Sequence, residues 1–254
     1  NFRFFFCKEF FRSTTGINHI DTKYLKLKKI KLFSLLKNHK LKKITSTAEH
    51  TWALILAISR NLIHYSRDVM ENGKWDRKKY TNFQLNEKIL GIVGFGRLGK
   101  MVKRYSKAFN METLIFDKKK SIKNKCSLQK VFSKSDIVTI HLELNSKTRG
   151  IISKKIIKIA KKNLIIINTS RGEVIDEKFM FRQLKKNNIK YFGADVLVND
   201  HTWTEKIPYK KKAEINKIKN KILLTPHVGG NTVEANKITR KIILDKLLEI
   251  IKKN

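Results

Sequence analysis

The stretch Ile89–Asp117 reads ILGIVGFGRLGKMVKRYSKAFNMETLIFD, and the order of residue types in it decides the fold. Ile89-Leu90-Gly91-Ile92-Val93 is an apolar run of strand length. It ends directly in Gly94-Phe95-Gly96-Arg97-Leu98-Gly99. Leu98, Met101, Val102, Tyr105 and Phe109 then recur at spacings of three and four, which places them on one helix face. A β-rich run, Thr113-Leu114-Ile115-Phe116, follows and stops at Asp117. Strand, glycine turn, helix, strand and acid, in that order, form a dinucleotide-binding pattern.

Each part of the pattern has a physical reason. Gly94 permits the tight turn, Gly96 lets backbone approach a pyrophosphate, and Gly99 lets the helix pack close to the strand. The helix starts at the turn, so its free N–H groups and positive dipole end face the phosphates. An acid at Asp117 can accept hydrogen bonds from both ribose hydroxyls and would repel a 2′-phosphate, which favours NAD over NADP. Lys118, Lys119 and Lys120 work against that preference, because a nearby cation can accept the extra phosphate.

Outside this stretch, helical and strand patterns alternate, which predicts an α/β Rossmann-type doubly wound parallel sheet. Asp21 caps a helix over 22–29, followed by a strand over 30–33. Ser46-Thr47-Ala48-Glu49 has the form of a capping box and opens an apolar helix over 49–62. That helix carries so few polar residues that burial on more than one side is expected, as at a domain junction or a dimer interface, and its His50 reads as structural. Further helices are expected after Ser127, Ser153 and Asp176, with strands over 137–141, 164–168, 191–196 and 222–224. An amphipathic helix over 232–253 closes the chain. The segment 201–220 reads as a lysine-rich loop.

The bulk numbers narrow the classes. The 254 residues are 41% hydrophobic, enough for a substantial core and against a disordered chain. No apolar run approaches membrane-spanning length, so no membrane partner is expected. Cys7 and Cys126 stand in no metal or redox spacing, so no metal site is expected and a reducing, cytoplasmic setting fits. The net charge of +36 suits an anionic partner, nucleic acid included. Yet the lysines are spread along the chain, and Lys, Ile and Asn share AT-rich codons, so a composition bias accounts for the charge and no specific nucleic-acid partner is expected.

In doubly wound sheets, ligands bind beyond the carboxyl ends of the strands. Three such ends carry reactive groups: Arg171 in Asn168-Thr169-Ser170-Arg171-Gly172, Asp195 with Asp200 shortly after it, and His227 in Thr225-Pro226-His227-Val228-Gly229-Gly230. A guanidinium can hold a carboxylate in a bidentate fork. An imidazole can take or return a hydroxyl proton, and a nearby acid fixes its tautomer. These are the parts that hydride transfer to or from a carbonyl requires.

With these segments in place, the sequence resembles the D-isomer-specific 2-hydroxyacid dehydrogenases, the family that includes D-3-phosphoglycerate dehydrogenase. The resemblance rests on TTGINHID (14–21), STAEHTWALILAISRN (46–61), GKW (73–75), LGIVGFGRLG (90–99), SDIVTIHLELNSKTRG (135–150), INTSRGEVID (167–176), GADV (193–196) and TPHVGGNTVEA (225–235). It implies an NAD-dependent oxidoreductase acting on a 2-hydroxy or 2-keto acid, and a homodimer. Arg171 matches the substrate-binding arginine and His227 the acid/base. Arg97 and Leu98 match pyrophosphate contacts, Asp117 the ribose acid, and Thr169, Asp195 and Gly229 the nicotinamide side. Asn18 matches a substrate-domain residue facing the cleft. The implied layout is an NAD-binding domain over 45–231 set within a flavodoxin-like substrate domain made of 1–44 and 232–254.

Two departures from the family pattern follow. Asp200 stands where the family has a catalytic glutamate. Being one methylene shorter, it is expected to reach His227 only through a backbone shift or a bridging water, with Glu205 as a substitute. The family also carries several tens of residues before the TTG turn, so this sequence is expected to be an N-terminally truncated form. The alternative function is a catalytically silent NAD-binding interaction protein, or an inactive fragment of such an enzyme.

Overall fold

A computed structural model describes residues 9–12, 20–35, 38–79, 82–119 and 121–252. The chain divides into two compact units, one of residues 1–46 and 231–254, the other of 47–230.

In the smaller unit, β1 (Glu9–Arg12) pairs in parallel with β2 (Lys31–Ser34), and α1 (Thr22–Leu27) lies between them in sequence. Asp21 caps α1, its carboxylate accepting the N–H groups of Lys23 and Tyr24 at 3.0 and 2.9 Å. Leu35, Leu41 and Ile44 form a core with Ala235 and Ile242. The expected site residue Asn18 lies outside the described residues.

The larger unit takes in α2 (Ser46–Ser59) from its second residue, followed by α3 (Leu62–Asn72). The glycine unit follows as β3 (Ile89–Val93), α4 (Arg97–Ala108) and β4 (Glu112–Phe116). Then come α5 (Leu128–Lys134), β5 (Ile137–Ile140), α6 (Lys154–Lys158), β6 (Leu164–Asn168), α7 (Glu177–Lys185), β7 (Ile189–Ala194), α8 (Tyr209–Asn216) and β8 (Ile222–Leu224). The long helix α9 (Val233–Ile251) belongs to the smaller unit.

The strands form one six-stranded sheet in the order β4-β3-β5-β6-β7-β8, with every pair parallel. The fold is therefore the expected Rossmann-type α/β architecture. One face packs Trp52, Leu54, Ile55 and Ile58 of α2 and Val102 of α4 against Leu90, Ile92, Ile165 and Ile167. The other packs Val131 and Phe132 of α5, Ile156 of α6 and Met180 and Leu184 of α7 against Val93, Val138, Ile140 and Ile166. Cover on both faces explains why β6, LIIIN, is apolar almost throughout and buried at every position.

Four local expectations are corrected. The helix α2 starts at Ser46 itself, and Ser46 Oγ is buried without a hydrogen bond, so the capping box does not form. It ends at Ser59 because Asn61 turns left-handed (φ 50°), and α3 then runs to Gly73, a second left-handed residue (φ 59°). Ser153 sits at the start of α6 but makes no side-chain cap bond, and α6 stops at Lys158. The lysine-rich loop contains α8, whose Lys211 pairs with Glu177 and lies 4.7 Å from the Phe181 ring centre. That helix is held by tertiary contacts that its own sequence does not display. No helix among the described residues is long and apolar enough to cross a membrane.

His141 directly follows β5, and its N–H donates to the Val93 carbonyl at 2.8 Å. Both ring nitrogens of His141 are buried without hydrogen-bond partners, and burial lowers its pKa from 6.5 to about 4. The unfolded chain takes this proton near pH 6.5, whereas the folded one resists it down to about 4. The stabilisation is therefore complete above the unfolded value and is lost as pH falls towards the folded one. Urea unfolding should show roughly 2 kcal/mol lost between pH 7 and 5 on this account. In His141→Phe that part of the pH slope should vanish.

Candidate active site

The glycine turn joins β3 to α4 at the carboxyl edge of the sheet. Gly94 adopts φ 97°, donates its N–H to the Phe116 carbonyl at 2.8 Å, and lies so close to His141 that an added Cβ would sit 2.7 Å from that residue's carbonyl oxygen. A Cβ on Gly99 would lie 2.2 Å from the Gly94 carbonyl oxygen, so helix and turn pack at a distance only glycine allows. At Gly96 a Cβ would meet nothing within 4 Å. No side chain caps α4. Open space thus lies at the uncapped N-terminus of a twelve-residue helix. This cradle fits a pyrophosphate.

Asp117 is built into the same turn, one oxygen accepting the Phe95 N–H and the other the Lys119 N–H, both at 2.7 Å. Lys118 is turned towards the Lys147 carbonyl, to which its ammonium donates. Arg97 is partly buried, and loss of solvent lowers its pKa. Leu98 packs against the Trp52 face of the core.

Three neighbouring strands, β6, β7 and β8, deliver the remaining groups at the same edge. After β6, Asn168 stitches the loop: its Oδ1 accepts the Ser170 N–H and hydroxyl at 3.0 and 2.8 Å, and its Nδ2 donates to the Arg171 carbonyl at 2.9 Å. Arg171 Nη1 donates back to the Ser170 carbonyl at 2.6 Å. Thr169 is buried, with its hydroxyl 2.8 Å from that of Thr51 on α2.

After β7, Asp195 is 3% exposed. Its Oδ1 accepts the Thr225 hydroxyl at 2.6 Å and the Val228 N–H at 2.9 Å, and its Oδ2 accepts the Gly229 N–H at 2.8 Å. One carboxylate therefore fixes the whole loop after β8. A Cβ on Gly229 would lie 2.9 Å from Asp195 Oδ2 and 3.0 Å from the His50 ring, so glycine is required there by close approach.

Farther along, Val198 donates its N–H to Glu177 at 3.0 Å and Asn199 to Glu173 at 3.3 Å, with both acids buried. Asn199 then turns left-handed (φ 63°) and aims Asp200 at the loop after β8. Asp200 Oδ2 comes to 3.0 Å from His227 Nδ1. The approach is not aligned as a hydrogen bond, since Oδ2 is buried and accepts none. Glu205 is exposed. His227 takes a left-handed backbone (φ 57°), and its side chain is 46% exposed.

The architecture thus brings Arg171, Asp195, Asp200 and His227 to the ends of the adjacent strands β6, β7 and β8, with the glycine turn two strands from β6 and Asp117 three. Asn168, Glu173 and Glu177 were not legible as site residues, because each works on backbone N–H and C=O groups that a sequence does not show as neighbours. The only available signal was their position in or beside SRGEVID.

The family model described as "D-isomer specific 2-hydroxyacid dehydrogenase, NAD binding domain" matches residues 52–229. A D-3-phosphoglycerate dehydrogenase from Methanocaldococcus jannaschii is 30% identical over 249 residues, covering 95% of this chain and 45% of that protein. A glyoxylate reductase from Pyrococcus furiosus is 32% identical over 217 residues, covering 80% of this chain and 62% of that protein. The chain thus spans about half the length of the curated relatives it matches. Among solved structures, a D-lactate dehydrogenase from Aquifex aeolicus complexed with NAD and lactic acid superposes with a TM-score of 0.85 at 25% identity, covering 97% of this chain and 77% of that one.

The open space at Gly96 and the tight contact at Gly99 make opposite predictions. Gly96→Ala should unfold within a few degrees of the parent yet bind NADH at least about tenfold more weakly, read by nucleotide fluorescence. Gly99→Ala should instead lower stability by about 1–3 kcal/mol, read by thermal unfolding.

Proposed function

The chain belongs to the D-isomer specific 2-hydroxyacid dehydrogenases, and from that premise we propose that it is an NAD-dependent oxidoreductase interconverting a 2-hydroxy acid and its 2-keto counterpart. The observation that carries the proposal is the approach of Asp200 to His227, on the strand ends next to the one that presents Arg171. A bound nicotinamide would supply or accept the hydride.

The chain's own residues do the rest. The Gly94–Gly99 turn and the first N–H groups of α4 hold the pyrophosphate. Asp117 receives the ribose hydroxyls. The Asp117 carboxylate would repel a 2′-phosphate, and Lys118 donates to the Lys147 carbonyl, which supports NAD over NADP. Arg171 binds the substrate carboxylate through its planar fork and draws charge from the adjacent carbonyl. During reduction His227 donates its proton to the carbonyl oxygen, and during oxidation it takes the hydroxyl proton. Asp200 stands beside Nδ1, where it can orient the ring. Thr169, Asp195 and Gly229 complete the nicotinamide side, and Asn18 is proposed on the substrate side. A homodimer fits this reading, supported by the exposed Leu62, Ile63 and Met70 of α3, and a cytoplasmic setting is part of the proposal.

The poor alignment between Asp200 and His227 supports a second reading, an NAD-binding protein without turnover. Steady-state reduction of a panel of 2-keto acids with NADH separates the two. The enzyme reading expects turnover that falls about 10²–10⁴-fold in His227→Ala and less steeply in Asp200→Asn, with NADH binding retained in both. NADH binding with no keto acid reduced would overturn it in favour of the silent protein.

A further inference from the structure

His50 lies on α2, far in sequence from every strand-end loop, and its sequence context gives it only a packing role. Its ring nevertheless reaches the loop after β8. Nε2 is 2.8 Å from the Thr225 hydroxyl oxygen and 3.4 Å from Asp195 Oδ1.

The direction of the bonds follows from their chemistry. The Thr225 hydroxyl has one proton, which it donates to the Asp195 carboxylate at 2.6 Å. Its oxygen can therefore only accept from His50, so Nε2 carries a proton. The chain of donors runs from His50 to Thr225 to Asp195. The same carboxylate then accepts the Val228 and Gly229 N–H groups at 2.9 and 2.8 Å. His227 stands between Thr225 and Val228, so the network grips the backbone on both sides of it. The His227 backbone is left-handed (φ 57°), a conformation that needs such support in a residue with a side chain.

We propose that His50 is a positioning residue for His227, acting through Thr225 and Asp195 to hold the imidazole where it can serve the reaction. This rests on the catalytic role proposed for His227, but the placement of its ring can be read with or without turnover. His50 touches no reacting atom. It orients the Thr225 hydroxyl, which completes the bonding of Asp195, which sets the loop.

The test compares His50→Leu, His50→Gln and Thr225→Val in the full chain. Glutamine can present an N–H near the place of Nε2, whereas leucine cannot. Valine keeps the shape of threonine but breaks the relay. The first readout is the His227 ring signal in protein labelled at its seven histidines, assigned with His227→Ala. The expected result is a displaced signal in His50→Leu and Thr225→Val, no further displacement when the two are combined, and a near-parental signal in His50→Gln. An unmoved signal in the leucine and valine variants overturns the proposal, as does glutamine behaving like leucine.

The second readout is keto acid reduction. The expected result is a kcat lowered about tenfold in the leucine and valine variants, with NADH affinity within about twofold of the parent and recovery in glutamine. Unchanged kcat, or NADH affinity falling in step with kcat, overturns the proposal. A parent chain without turnover defeats the proposed function alone, because the ring signals still decide where His227 is held.

Discussion

A parallel sheet sends the carboxyl end of every strand to one edge, and that constraint produces the candidate site. Six strands hydrogen-bonded in register carry six chain ends to the same rim, spaced about 5 Å apart. The glycine turn, the SRG loop, the loop bearing Asp200 and the loop bearing His227 are neighbours for this reason and no other. The buried ladder supplies the rigidity, since β5 and β6 are buried at every position. Loops alone would leave an arginine, an acid and an imidazole free to drift, and misplacement by an ångström costs rate.

That edge was largely legible in the sequence because its determinants are local. Glycine spacing, a β run before it and an acid after it identify β3, α4 and β4 without knowledge of any distant contact. The strand over 164–168 was equally plain, because a sheet covered on both faces demands an unbroken apolar run. What was not legible depends on pairs far apart in sequence. Ser46-Thr47-Ala48-Glu49 has capping-box chemistry, yet the helix begins one residue too early for Ser46 to cap it. The segment around Lys210–Lys212 looks solvated until Lys211 is seen against Glu177 and the Phe181 ring. The reach of Asp200 could not be judged from side-chain length, because Asn199 redirects the backbone first.

The acids are the scarce resource in this chain, 21 against 57 basic residues. Most lysines are exposed and cannot organise anything alone. The acids at the site instead spend their oxygens on backbone N–H groups. Asp117 holds the glycine turn, Asp195 the loop after β8, and Glu173 and Glu177 the loop before Asp200. Each such contact fixes the direction of the chain at the N–H that the carboxylate accepts. The excess positive charge is thus compatible with an ordered site, because the order comes from acid-to-backbone contacts rather than from surface ion pairs, which contribute little.

The left-handed backbone at His227 shows how these contacts act together. A non-glycine residue there costs about 1–2 kcal/mol, although histidine tolerates it better than branched residues do. Nothing in the helix or sheet ladders offsets that cost, since the loop lies beyond β8. The three hydrogen bonds to Asp195, on Thr225, Val228 and Gly229, do offset it, at about 1 kcal/mol or more each when the acceptor is charged. The strained turn is what swings the imidazole towards Asp200. A side chain one methylene shorter than glutamate then comes within 3.0 Å of Nδ1, because the histidine is brought to the acid as much as the acid to the histidine.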